Sequence, residues 1–499
     1  MASFDNPNQK IFFNSTKMKT GISGLDEILE GGLIRERTYL LVGSPGTGKT
    51  IFSLQWLLDG VRAKEKCLYI TLAERFEEIS RNVQVFEWDL ANIVFLDLTP
   101  GKCITSEDLQ EYQVFSPSEV EQFAVWDEIF KTISEVKPDR LIIDSTTQLR
   151  YLSLDEYQFR KHILTLVSYL NSTGITSLLL FEPTELERET SVALAVNGII
   201  RLNLEISQSR AIGIRTVQIE KMRGSSFMSG LHPFQISNTG IQIYPHIIEK
   251  IGFCALGKAL IPFGIKSLDK LLKGGIDSGT TTIISGPSGV GKSTLGTQFL
   301  VNGAKNGAKG LLITFEEPVE SILIRGRKIN ISVDKFLENG SLKVIRVNPM
   351  EVYPDQLLSF VRQMVEHEHF SIVMIDSLRG YHIAMEEYGT LNAHLCNLIN
   401  YLNRNEATTL LINEVEAITG NLRITDVGVS HLADNVILMR YAELNSQVVK
   451  LVCCLKKRLS DFESQLRTIN YSSKGIEVGD VLTEMQGILT GTPYFKLNS

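Results

Sequence analysis

Two stretches of this 499-residue chain are copies of each other. "GISGLDEILEGGLIRERTYLLVGSPGTGKT" begins at Gly21 and "GIKSLDKLLKGGIDSGTTTIISGPSGVGKS" at Gly264, an offset of 243 residues (264 − 21). The offset runs without a gap through Gln55/Gln298 and Gly60/Gly303 to Glu74/Glu317. Chance similarity does not hold register that long, and a period of this size is too large for a solenoid. The chain is also too long for one core, so the repeat marks two whole domains. The expected organisation is a flexible terminus at 1–14, domains at 15–247 and 256–492, a linker at 248–255 and a short tail at 493–499.

Within each copy, short apolar runs alternate with helical stretches. "RTYLLVG", "CLYITL", "DRLIIDS" and "ITSLLLFE" read as strands in the first copy. "TTIISG", "GLLITFEE", "SIVMIDS" and "TTLLINE" repeat them in the second. The pattern predicts an α/β fold, a mostly parallel sheet with helices on both faces. "TVQIEKMRG" and "VVKLVCCLKKR" follow with little helix between late strands, which predicts an antiparallel edge.

"GSPGTGKT" and "GPSGVGKS" both fit GxxxxGK[ST], each after a strand and before a helix. The glycines let backbone N–H groups curl toward phosphate oxygens, and the helix presents its positive end to the same anion. Gly46, Thr47, Gly48, Lys49, Thr50 and Ile51 form one expected cradle. Gly289, Val290, Gly291, Lys292, Ser293 and Thr294 form the other. Lys49 and Lys292 reach for the β- and γ-phosphates of ATP, and Thr50 and Ser293 for Mg²⁺. A glycine turn alone matches such a pattern; two matches in register, each with its strand and helix, point to nucleotide. Asp144 and Asp376 each end an apolar strand after the loop, where an acid approaches the metal directly or through water. Capping of the next helix is the bland alternative for either alone.

Hydrolysis needs a group to orient and deprotonate water. The end of a strand neighbouring the phosphate-loop strand is expected beside the γ-phosphate, and "ITFEE" ends such a strand. Adjacent residues there point to opposite sides, so Glu316 is assigned as base and metal-shell ligand, with Glu317 supporting it and Lys292 as the catalytic cation. At the same slots the first copy has Ala73 and Glu74. A methyl group takes no proton, and Glu77 and Glu78 belong to the start of a helix. The first domain is therefore expected to bind ATP and hydrolyse it slowly if at all. Lys221 and Arg223, like Lys456 and Arg458, sit at spacing two on late strands, which places both heads on one face. Such a face can reach nucleotide held by an adjacent subunit; an edge strand bearing solubilising charge is the alternative.

The net charge of −7 carries no long block of one sign, which argues against a chain built to coat nucleic acid. Six scattered cysteines without a CxxC are expected to be reduced core thiols. No stretch of apolar residues is long enough to span a membrane, and "MASFDNPNQKIFFNS" lacks the regions of a signal peptide. A cytoplasmic protein is expected.

The lead-in GxxxLDxxLxGG, "ITFEE", "KMRGS" and "ITD…S…D" on two tandem RecA-like domains resemble the KaiC family of clock ATPases and autokinases, from about residue 15 to about residue 492. The resemblance implies a homohexamer with ATP and Mg²⁺ between subunits, slow hydrolysis and phosphate transfer to hydroxyls in the second domain. Ser430 and His431 fall on the family's Ser-Thr acceptor pair, so the serine survives and the threonine does not; Thr425 matches a further acceptor hydroxyl. Leu459 replaces the glycine of the second "KMRGS", and Ile329 falls where the family has a tryptophan beside adenine. A partner that docks on the first ring, like KaiB, is implied as well. The competing class is a RecA/RadA-like DNA-dependent ATPase, which needs a basic or aromatic lining.

Overall fold

The computed structural model describes residues 16–99, 117–151, 153, 155–188, 190–207, 212–247, 257–385, 391–415, 430–444, 446–482, 485–486 and 494–495. The chain divides into two compact units, Met1–Ile247 and Ile248–Ser499. In each, a nine-stranded sheet carries the site. The first sheet comprises β1 Thr38–Gly43, β2 Cys67–Thr71, β3 Ile93–Asp97, β4 Arg140–Asp144, β5 Thr176–Phe181, β6 Gly198–Ile206, β7 Gly213–Met222, β8 His232–Ser237 and β9 Gly240–Ile243. The second comprises β10 Thr281–Gly286, β11 Gly310–Thr314, β12 Leu342–Arg346, β13 Ile372–Asp376, β14 Thr408–Glu414, β15 Asn435–Leu444, β16 Gln447–Lys457, β17 Arg467–Ser472 and β18 Gly475–Val481.

The order β9-β8-β7-β6-β1-β5-β4-β2-β3 in the first sheet is matched strand for strand by β18-β17-β16-β15-β10-β14-β13-β11-β12 in the second. Six strands of each sheet are parallel. The last three run antiparallel at one edge, as the crowded late strands predict. These are two tandem RecA-like α/β domains.

The inner parallel strands are buried on both faces, which is why they read as continuous apolar runs, whereas edge strands β3 and β12 are only partly buried. Tyr39 and Leu41 of β1 join one core cluster while Leu40 and Val42 join the other. In β10, Ile284 and Ile283 divide in the same way. Each such side chain contributes about 1.5–3 kcal/mol by leaving water. The helices after the phosphate loops, Lys49–Arg62 and Lys292–Lys305, pack on one face through Phe52, Trp56 and Leu57, and through Leu295, Phe299 and Leu300. That packing fixes both loops at the carboxyl ends of β1 and β10, in the middle of the sheets.

Candidate active site

Both phosphate loops lead into helices through a left-handed glycine, Gly48 at φ 103° and Gly291 at φ 112°. A side chain at Gly291 would also strike the Tyr471 hydroxyl, which donates to the Gly291 carbonyl at 3.1 Å. Inside the loops the lysines donate to loop carbonyls: Lys49 Nζ to Gly43 O at 2.5 Å and Lys292 Nζ to Pro287 O at 2.7 Å. Burial pulls both ammonium pKa values down. Asp144 and Glu182 oppose this for Lys49, and Glu414, Asp376 and Glu316 for Lys292. Each loop thus holds a cation that an anionic phosphate oxygen can draw away from a neutral carbonyl.

The metal-type acids lie beside the loop hydroxyls. Thr50 Oγ1 donates to Asp144 Oδ2 at 3.3 Å, and Ser293 hydrogen-bonds Asp376. In both sheets the peptide bond after this aspartate is cis. Burial pushes Asp376 up to about 6, with Ser293 and Arg325 pulling down and Glu317 and Glu316 pushing up. Asp144 is also raised by burial, but Tyr69, Lys49 and Thr50 all favour its charged form. The Tyr69 hydroxyl donates to Asp144 Oδ2. Tyr69 is fully buried and its ring stacks on Phe95 at 5.3 Å. Its counterpart in the second copy is Leu312, which donates nothing. One hydroxyl and one carboxylate, both hard oxygen donors, fit Mg²⁺, which keeps waters and shares phosphates rather than filling a protein cage.

The second cleft, of about 320 Å³, brings together Gly289, Gly291, Lys292, Ser293, Thr294, Glu316, Glu317 and Asp376, and Arg325, Ser377 and Glu414 also line it. Glu316 accepts a hydrogen bond from Ser377 Oγ at 3.1 Å. Glu317 takes both oxygens to Arg325 Nη1, at 2.6 and 2.7 Å. Thr314 fixes the turn, accepting from the Glu317 N–H at 3.1 Å and donating to its carbonyl at 3.3 Å. In the first copy Thr71 Oγ1 donates to Glu74 O at 2.5 Å, so the turn is the same. Ala73 is exposed at the equivalent of Glu316, and Glu74 accepts from Asn82 Nδ2 at 2.5 Å. Burial, Asp144 and Glu78 raise the Glu74 pKa. Glu77 and Glu78 stand in the first turn of helix Phe76–Asn82, as the sequence predicts.

The strand order corrects one step of the sequence reasoning. The strand beside the phosphate-loop strand is not the one ending in "ITFEE". β10 pairs with β14, and β11 lies beyond β13. The acid at the end of the true neighbour is Glu414, whose register partner is Gly286 at the start of the loop. Its first-copy counterpart is Glu182, which acts on Lys49. Sequence reasoning passed over both, although "LLLFE" and "LLINE" end in acid as the metal-type strands do. Glu316 still lines the cleft because β11 ends with Thr314 opposite Asp376 of β13, and Glu316 follows two residues later.

The late cations lie elsewhere. Lys221 closes on its own domain, donating to Ala193 O at 2.6 Å and Leu194 O at 3.2 Å. Lys456 donates to Ala433 O. Each strand has a bulge just before its lysine, with Glu220 and Leu455 as the extra residues. Arg223 and Arg458 fall one residue past the ends of β7 and β16, so simple strand alternation does not set their direction. Arg458 reaches Asp434 Oδ1 and His431 O, both at 3.3 Å. Neither Lys456 nor Arg458 lines the second cleft. Ser430 opens the 3₁₀ turn Ser430–Leu432. Thr425 and the linker 248–255 lie outside the described residues.

Among the described residues no helix is long and apolar enough to cross a membrane. A family model described as KaiC ATPase matches residues 18–247 and 261–482, one match per sheet. The chain is 27% identical over 499 residues to the circadian clock protein KaiC3 of Synechocystis sp., covering 97% of this chain and 95% of that one. It is 26% identical over 492 residues to the circadian clock oscillator protein KaiC of Nostoc sp., covering 96% and 92%. Similarity to the KaiC of Synechococcus elongatus is also 26%, over 488 residues, covering 96% and 92%. With a phosphate loop, a metal-type aspartate and the family's domain in each half, the chain belongs to the KaiC ATPase family.

Proposed function

We propose that the second domain hydrolyses ATP slowly with Mg²⁺, and that the first domain holds ATP mainly as structural glue. The observation that carries this reading is the asymmetry of the acid slot: Glu316 shares a cleft with Lys292, Ser293 and Asp376, and Ala73 stands in its place in the first copy. When bound, Mg²⁺ supplies charge neutralisation at the phosphates. Lys292 binds the β- and γ-phosphates, Ser293 and Asp376 hold the metal shell, and Glu316, oriented by Ser377, accepts the proton of the attacking water. Glu316→Gln is expected to remove most steady-state turnover while ATP binding persists. Equal turnover in variant and parent would discard the assignment.

The assembly proposed is a homohexamer with ATP between protomers, where Lys221, Arg223, Lys456 and Arg458 serve the neighbour's nucleotide. Lys456 donates to the Ala433 carbonyl, and Arg458 to the His431 carbonyl and the Asp434 carboxylate, next to Ser430. A nucleotide approached by those cations therefore comes near the proposed phosphoacceptor, with Thr425 as a second one. Autophosphorylation, a regulatory signalling role like that of the circadian clock relatives, and a KaiB-like partner complete the reading. Native mass of the ATP-incubated protein tests it: the expected result is a six-chain particle with added phosphate, and a monomer saturated with Mg·ATP removes the trans-cation account.

A further inference from the structure

The two clefts differ at a pair of positions, nine residues apart, that change together. Where the second copy has Glu316, the first has Ala73; where the second has Arg325, the first has Asn82. Register holds across both, because helix Val319–Lys328 begins 243 residues after helix Phe76–Asn82. The polar contact survives the change: Asn82 donates to Glu74, and Arg325 to both oxygens of Glu317. What changes is charge. The second cleft sets Glu316, Glu317, Asp376 and Glu414 against Lys292 and Arg325. The equivalent first-copy positions set Glu74, Asp144 and Glu182 against Lys49 alone. The added acid comes with an added cation, and both sites keep the same formal charge of two negatives.

We infer that Arg325 is a positioning residue for hydrolysis in the second domain, a role that rests on Glu316 being the base. Two adjacent glutamates beside a polyanionic nucleotide repel each other and the phosphates. Both Glu317 oxygens accept from the one nitrogen, Arg325 Nη1, so the pair neutralises Glu317 and pins it to the helix with a charge that a neutral amide lacks. The carboxylate then free to take a proton from water is Glu316, held from its other side by Ser377. Arg325 is partly exposed, at 29%, and its partner at 25%, so the pair contributes little to folding stability. Its effect is on which carboxylate faces the reaction.

Steady-state ATPase of the full-length chain, measured as phosphate release against ATP concentration with Mg²⁺, tests this. Arg325→Asn, which installs the first copy's residue, is expected to lower kcat by about tenfold or more through misplacement of the acid pair. KM and fluorescent-nucleotide affinity are expected to stay within about twofold, the signature of an interaction that acts on the reaction step. Arg325→Lys, which keeps the charge on a differently shaped and differently placed head, is expected to fall between. Unchanged kcat in Arg325→Asn overturns the inference, and so does a raised KM with kcat preserved, which makes Arg325 a nucleotide ligand. Glu316→Gln is measured beside it. If that variant is silent while Arg325→Asn is fully active, this inference alone fails; if Glu316→Gln is fully active, the base assignment fails and takes this one with it.

Discussion

Removing one oxygen atom from the first domain gives a measurable test of how its metal-type acid is held. Tyr69→Phe deletes the hydroxyl that donates to Asp144 and leaves the ring stacked on Phe95 in place. Among the described residues, Thr50, at 3.3 Å, then remains as its side-chain hydrogen-bond donor. A hydrogen bond to a buried charged group is worth about 1.5–3 kcal/mol. For a unit of 247 residues, each kcal/mol moves the melting midpoint by roughly 2–4 °C, so the expected loss is about 3–12 °C. The sign follows from linkage. Burial already raises the Asp144 pKa, and losing a donor raises it further. The carboxyl's contribution is whole below its unfolded pKa and is lost as pH rises through the folded one, so the deficit is full at neutral pH and shrinks on acidification. Differential scanning calorimetry of the nucleotide-free full chain is the assay. The midpoint should fall at pH 8 and recover toward parent at low pH. A midpoint unchanged or raised at pH 8 refutes the claim that Tyr69 stabilises ionised Asp144.

Three further outcomes are expected. Asp376 sits near 6 in the ligand-free protein and must ionise to serve the metal, so Mg²⁺-dependent nucleotide binding by a Lys49→Ala variant, in which only the second loop is intact, should weaken about tenfold per unit as pH falls below 6; a flat titration removes that role. Gly291→Ala meets both a left-handed backbone and the Tyr471 hydroxyl, whereas Gly46→Ala meets only the backbone at φ 80°; loss of nucleotide affinity should be much larger for the former, and equal losses contradict the packing argument. Ala73→Glu added to Glu316→Gln should restore some turnover, now from the first domain, as read by phosphate release; continued silence means that more than the missing acid disables that site.

The gap-free repeat made the domain count, the phosphate loops, the metal-type acids and the Ala73/Glu316 contrast legible from letters alone. Strand order was not. Crossovers place β5 and β14 beside the loop strands, and no periodicity reports which parallel strand lies next to which, so Glu182 and Glu414 went unassigned. Tyr69 reads as one more apolar strand residue; its hydroxyl gains meaning only because β2 and β4 pair in register, with Tyr69 opposite Ile142 two residues before Asp144. The contact of Arg325 with Glu317 depends on the turn at Pro318 folding the helix back over the strand end. The direction of Arg223 and Arg458 escaped simple alternation because a bulge precedes each.

The matched strand order makes the chain its own reference specimen. Residues at the rim of one sheet can be exchanged for those at the same rim of the other without asking the interior to repack, since the exchange never reaches the buried rows. A swap at 73/316 or 82/325 thus compares two chemistries on nearly one backbone, inside one polypeptide and in one tube. Gene duplication has in effect left a control experiment beside every candidate residue of this enzyme.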